Sequence, residues 1–351
     1  MFLALKEIKK EKLRSGAIIT MIVLICYLIF ILTSLSLGLA RQNTAAIKSW
    51  HVQRFALNSN ANTDMRQSFL NDDQLGQLTK NEAVLGQGSV VAKAAGKEKL
   101  SAVFVGLKSN QFIAKNLQLT SGHPVRHAHE VVVDDAFQDK GYHLGSHLRL
   151  NDQKQRYTIV GFTKNAKLNI APIVYGQLST WKTMRGFEHG PSASAIVSKK
   201  ASYRAQTAGV TTYSTKQIIN KLPGYQAQNT TFILMIAFLM VISLIIIAVF
   251  LYILTMQKMP NYAVLRAQGI PSKVLVGATI SQSVLLVIFG LVIGSLLTAG
   301  TALSMPAAVP MAFDVPMLAA VGLGLVLMAL LGSLVPVRSV LRVDPISVIG
   351  G

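Results

Sequence analysis

The segment GHPVRHAHE gathers His123, His127 and His129 beside Glu130, side chains of the kind that hold zinc. Pro124 disfavours a helical frame for them, and no second cluster in the sequence supplies partners. A basic loop leading into the apolar run EVVVDD is the better account. The single cysteine, Cys26, allows no disulfide and no thiolate metal cluster. GQGSVV opens like a phosphate-binding glycine loop, but no GxxxxGK[ST] occurs, so the chain binds no ATP through such a motif and the segment reads as a turn. No Ser/His/Asp set or carboxylate pair is legible. The expectation is a chain that is not an enzyme, with no catalytic residue, no metal and no cofactor of its own.

The elements that must carry any function are apolar. Of the 351 residues 51% are hydrophobic and 14% charged, outside the usual range for a soluble domain. Four runs exceed the roughly 18 residues that mark a candidate membrane span. They predict transmembrane helices at 16–40, 229–256, 274–300 and 317–337. The first is too long for a signal peptide and no small-residue cleavage site follows it, so a retained anchor is expected. None of the runs holds Asp, Glu, Lys, Arg or His, which argues against ion-coupled transport. They do hold Met235, Met240, Tyr27 and Tyr252, side chains that can ligate haem iron or pack on a porphyrin. Gly290, Gly294, Ser295, Gly322 and Gly324 are expected to let helices approach closely.

Lys and Arg near the spans set the orientation. Lys6, Lys9, Lys10, Lys12 and Arg14 precede the first; Lys258, Arg266 and Lys273 separate the second and third; Arg338 and Arg342 follow the fourth. The 301–316 connection carries neither Lys nor Arg. Both termini, including an amphipathic segment at 1–15 and a tail at 338–351, are expected in the cytoplasm. Residues 41–228 then form one outer domain, with 24 of the 34 basic and 11 of the 15 acidic residues, an excess of +13. Val, Ile, Tyr and Phe runs between Gly, Asn and Asp turns predict strands there, while NDDQLGQLTKNEAVLG and STKQIINKLPG read as helical. The expected fold class is an α-helical membrane protein with four transmembrane helices and a large α+β extracytoplasmic domain inserted between helices 1 and 2.

The 257–273 connection is longer than a plain turn. Its stretch YAVLRAQGIPSKVL reads as a short amphipathic helix with Val264, Leu265 and Arg266 and a stop at Gly269, the form of a peg that docks into a partner. This stretch resembles the LRAIGxxxxxI cytoplasmic loop of FtsX/MacB-type ABC transporter permeases. ALKEIKKEKLRSG is similar to their N-terminal amphipathic helix, HEVVVDDAFQDKGYHLGSHLRLNDQKQRYTIVGF to the end of their outer domain, and VDPISVIGG to their DPIEAL tail. Within that class GLARQN and FLYILTMQKMPNYAVLRAQGIPSKVL look like the permeases of haem-regulated exporters. Gln42 departs from the acidic residue of some relatives.

The resemblance implies a permease homodimer in the cell membrane, bound to two copies of an ABC ATP-binding subunit that binds ATP, in contact with membrane lipid and not with nucleic acid. Tyr262, Val264, Leu265, Arg266 and Gly269 would couple to that ATPase. Mechanotransmission would then move the outer domains, and haem would be the exported substrate. Rival readings are MacB-like export of a peptide, antibiotic or lipoprotein, and FtsX-like signal transmission without transport. Haem is a flat, mostly apolar dianion, so its site needs an apolar slot near the outer leaflet with a cation at the rim. Phe30, Phe232, Met235 and Phe238 are expected to line it, with Arg41 toward a propionate and Tyr225 or Met235 as candidates for the iron.

Overall fold

The computed structural model describes residues 12–187, 189–305 and 309–341. They fall into two compact units, Leu39–Gln228, and Met1–Gly38 with Asn229–Gly351. The expected amphipathic segment and tail lie outside the described residues, except for residues 12–15 and 338–341, which are helical.

The outer unit begins within a long helix, α1 (Lys12–Ser49). Eleven strands follow: β1 (Arg54–Asn58), β2 (Glu82–Lys93), β3 (Leu100–Leu107), β4 (Leu119–Gly122), β5 (Glu130–Asp134), β6 (His147–Leu150), β7 (Tyr157–Thr163), β8 (Lys167–Leu168), β9 (Ala171–Gln177), β10 (Ala195–Ser198) and β11 (Val210–Ser214). Their order is β11-β1-β10-β2-β3-β9-β5-β7-β4, with β8 on β9 and β6 paired to both β7 and β2. Through β6, six strands close into a ring. The β3–β9 and β5–β7 pairs are parallel.

Alternation along each strand builds two cores. Phe55 and Leu57 of β1, Val103 and Val105 of β3 and Ile173 and Tyr175 of β9 face one way, where Ala46, Ile47 and Trp50 from the end of α1 cover them. Ala56, Phe104 and Val174 face the other way, toward Trp181 of α2 (Leu178–Arg185). GQGSVV is therefore not a turn but the middle of β2. Its glycines make room for the Trp181 indole, which donates to the Gln87 carbonyl at 3.0 Å. A Cβ on Gly86 would stand 2.3 Å from that ring.

The stretch expected to be helical after Asn71 forms one turn, Asp72–Leu75, which Gly76 ends at φ +59°, and Glu82 already opens β2. STKQIINKLPG does form a helix, α3 (Thr215–Asn220), because Ser214 and Gln217 cap it reciprocally.

The membrane unit holds the first part of α1 with α4 (Tyr225–Ala267), α5 (Ser272–Ser304) and α6 (Val315–Leu341). Ile22, Cys26 and Ile29 of α1, Ile247 and Leu251 of α4, Leu286 of α5, and Leu325 and Ala329 of α6 share its core. Gly290 and Gly294 bring α5 onto α1: a Cβ would lie 2.4 Å from Ile22 at the first and 3.0 Å from Cys26 at the second. Gly332 does the same for α6 against the Ala248 backbone, at 3.2 Å. Gly322 and Gly324 leave only ordinary contacts of 3.7 and 3.4 Å, and Ser295 is exposed.

Candidate functional site

Tyr262, Val264, Leu265 and Arg266 do not sit on a separate short helix. They form the last two turns of α4, which continues unbroken through Pro260 to Ala267. Proline removes one donor and strains the turn before it, but the Met, Gln and Lys around it are good helix formers. Lys258, buried on the same stretch, donates from Nζ to Gln282 Oε1 of α5 at 3.2 Å. Sequence reading assigned Lys258 to the loop because it followed the apolar run. Gln282, a primary amide inside the third run, was the available signal that the run has a polar partner.

The stop at Gly269 is present in atomic detail. Its φ is +88°, its N–H bonds the Arg266 carbonyl at 3.0 Å, and the Ile270 N–H bonds the Leu265 carbonyl at 3.1 Å. Those two bonds define a Schellman motif, and its usual apolar contact is here too. Leu265 and Ile270 pack with Tyr262, Leu275 of α5 and Val340 of α6. Arg266 donates to Ser272 Oγ at the start of α5. The result is a rigid corner in which Tyr262 is 4% exposed and Leu265 half-buried, while Val264 (49%) and Val274 (48%) face outward.

The residues expected around a substrate divide between the units. Phe30 is only 6% exposed and packs in the bundle core, its ring 3.8 Å from the Cβ position of Gly322. Phe232, Met235 and Phe238 follow one another on α4, half-buried, 42% and 67% exposed. Arg41, exposed on α1, and Tyr225, half-buried at the start of α4, belong to the outer unit. Tyr27 shares a 2.9 Å hydrogen bond with Thr301. Met240 touches the Gly324 position, and Tyr252 is exposed.

The histidine segment is a loop entering β5. Glu130 accepts from the backbone N–H groups of Arg126 and His127 at 2.7 and 3.0 Å. Partial burial would raise its carboxyl, but these bonds outweigh burial and hold it below the usual range. No metal-ligating group of three or more His, Cys, Asp or Glu side chains occurs among the described residues. Asp134 is fully inside; burial raises its carboxyl, against the N–H groups of Ala136 and Ala166 and the charge of Lys167.

Residues 233–345 match the family model described as FtsX-like permease C-terminal. Four helices of the described residues are long and apolar enough to cross a membrane, and over 233–345 the chain is similar to FtsX-like permeases. The particular likeness is to HrtB. The chain is 23% identical over 353 residues to the hemin transport system permease protein HrtB of Staphylococcus epidermidis, covering 100% of this chain and 99% of the relative. It is 23% identical over 355 residues to the corresponding protein of Staphylococcus haemolyticus. Among solved structures, the periplasmic region of MacB from Actinobacillus actinomycetemcomitans aligns at TM-score 0.36 with 14% identity, over 48% of this chain and 92% of that one. The extracellular domain of YknZ from Gram-positive bacteria aligns at 0.31 with 15% identity, over 45% and 84%.

Proposed function

We propose that this chain is the membrane subunit of an exporter that clears haem from the membrane by mechanotransmission. The observation that carries the reading is the similarity to HrtB from end to end of both chains. Two copies would assemble with two ATP-binding subunits, with both termini and the Gly269 corner in the cytoplasm, a placement the Lys and Arg distribution supports. ATP-driven closure of the partner would press on the corner, and α4 would carry the displacement. A helix of 43 residues is about 65 Å long, twice the thickness of the hydrocarbon layer.

The chain's own surface supports a membrane-borne apolar substrate. Only 11% of the apolar window of α4 is buried, against 44% for α1, so Met235 and Phe238 stand on a face left to lipid, to substrate or to a second copy. Haem entering from the outer leaflet would meet Phe232, Met235 and Phe238, with Arg41 for a propionate and Tyr225 or Met235 toward the iron. The test is haem binding by absorbance on the purified complex, with haem tolerance of cells, for Met235→Ala, Tyr225→Phe and Arg41→Ala at matched expression. Loss of binding and tolerance in at least one is expected. Parental behaviour in all three removes the slot, and no haem-induced absorbance change in the parent removes haem, leaving peptide, antibiotic or lipoprotein export or pure signalling.

A further inference from the structure

The connection between β8 and β9 is a two-residue hairpin, Asn169 and Ile170, closed by the Leu168–Ala171 pair. Both residues have positive φ, +54° and +69°, the mark of a type I′ turn, whose second position ordinarily goes to glycine. Asparagine tolerates that region, whereas a β-branched side chain is strained in it. The sequence puts isoleucine where glycine would cost least, yet the protein leaves that side chain largely uncovered: Ile170 is 48% exposed. A residue that breaks a local rule without being taken into the core points to a contact outside the chain.

The turn is tied to α1. Asn169 N–H donates to the Asn43 carbonyl at 3.1 Å and Ile170 N–H to the Gln42 carbonyl at 3.3 Å. All four residues belong to the outer unit. In the same unit the apolar run of α1 ends at Leu39 and Ala40, and the exposed Arg41 is the first charge after it. Gln42 follows Leu39 by three residues, about 4.5 Å along the helix. The headgroup layer extends about 5–7 Å beyond each side of the hydrocarbon core. A turn bonded to Gln42 is therefore held at the level of the headgroups, where an apolar side chain can reach the start of the acyl chains and Arg41 can meet lipid phosphate.

We infer that the Asn169–Ile170 turn is a lipid-contact point of the outer unit, with Ile170 inserted at the boundary between headgroups and acyl chains. The contact fixes the height of the β8–β9 hairpin on the bilayer. It requires only that α1 cross the membrane, in either orientation, and depends neither on haem nor on an ATPase.

In a Cys26→Ala background, which holds no other thiol, Ile170→Cys is labelled with an NBD fluorophore and the full-length chain is placed in lipid nanodiscs. A side chain buried about 5–10 Å into the boundary lies within reach of a nitroxide high on a lipid acyl chain, and quenching by that lipid should exceed quenching by aqueous iodide. Iodide quenching without nitroxide quenching overturns the proposal. Shielding from both quenchers would place a second copy of the chain over the turn and overturns it as well. A tryptophan-fluorescence melt checks the fold of the variant. Should it melt early, the parent chain decides: a lipid with a photoreactive group near its headgroup should label the tryptic peptide 168–182, read by mass spectrometry. That peptide left free of lipid while the spans are labelled overturns the proposal.

Discussion

Gly86 shows what a single residue decides in the outer unit. In the sequence it belongs to a glycine pair that reads as a turn, because nothing local reveals that an indole nearly a hundred residues later will lie on it. The requirement is long-range and only the fold exposes it. Gly86→Ala should overpack the Trp181 contact and cost about 1–3 kcal/mol. Both tryptophans, Trp50 and Trp181, lie in the outer unit, so a fluorescence melt reads that unit alone and an unchanged melt would refute the contact. Glu82 makes a second residue-scale prediction. Burial raises its carboxyl, yet donation from Thr79 and Ser198 outweighs burial and the net shift is downward. A depressed carboxyl stabilises the fold above its unfolded value and loses that contribution as pH falls through the folded value. Glu82→Gln should therefore be less stable than the parent at pH 7, with the difference shrinking as pH falls below the ordinary value for a glutamate, 4.5. A pH-independent difference would mean the carboxylate's charge plays no part.

At the scale of elements, the apolar runs announced all four long helices, since period and length are local properties. What they could not announce was continuity. Pro260 and Lys258 look like the end of a span, and α4 passes through both because its neighbours supply packing and Gln282 accepts from the ammonium. The stop was legible because left-handed backbone selects glycine whatever surrounds it. Gly269→Ala should strain that turn by roughly 1 kcal/mol and lower, without abolishing, stimulation of the ATP-binding subunit. Leu265→Asp is the stronger test. It places a carboxylate among Tyr262, Ile270 and Leu275, which costs a few kcal/mol. The corner should open, with ATPase stimulation and export lost while the chain still inserts. Normal coupling in Leu265→Asp would show that the corner transmits nothing.

At the scale of the whole molecule, the proposed coupling and release would both depend on which side of the membrane each connection occupies. The +13 excess of the outer domain is compatible with an extracytoplasmic location, because long exported domains escape the positive-inside bias, which acts on short connections. The two short connections differ as that bias demands, with Lys258, Arg266 and Lys273 on one and no Lys or Arg on the other. A labelling experiment follows from the chain's single cysteine. Cys26 is buried against the Gly294 position, so Cys26→Ala removes one sulfur from a packed site and leaves a thiol-free background. In that background Ser109→Cys, on an exposed loop of the outer unit, should react with a membrane-impermeant maleimide in intact cells. Gln268→Cys, exposed beside the Gly269 turn, should react only after the membrane is opened. Labelling of Gln268→Cys from outside would invert the topology. The corner would then be out of reach of any cytoplasmic ATPase, and mechanotransmission through α4 would have no source of force.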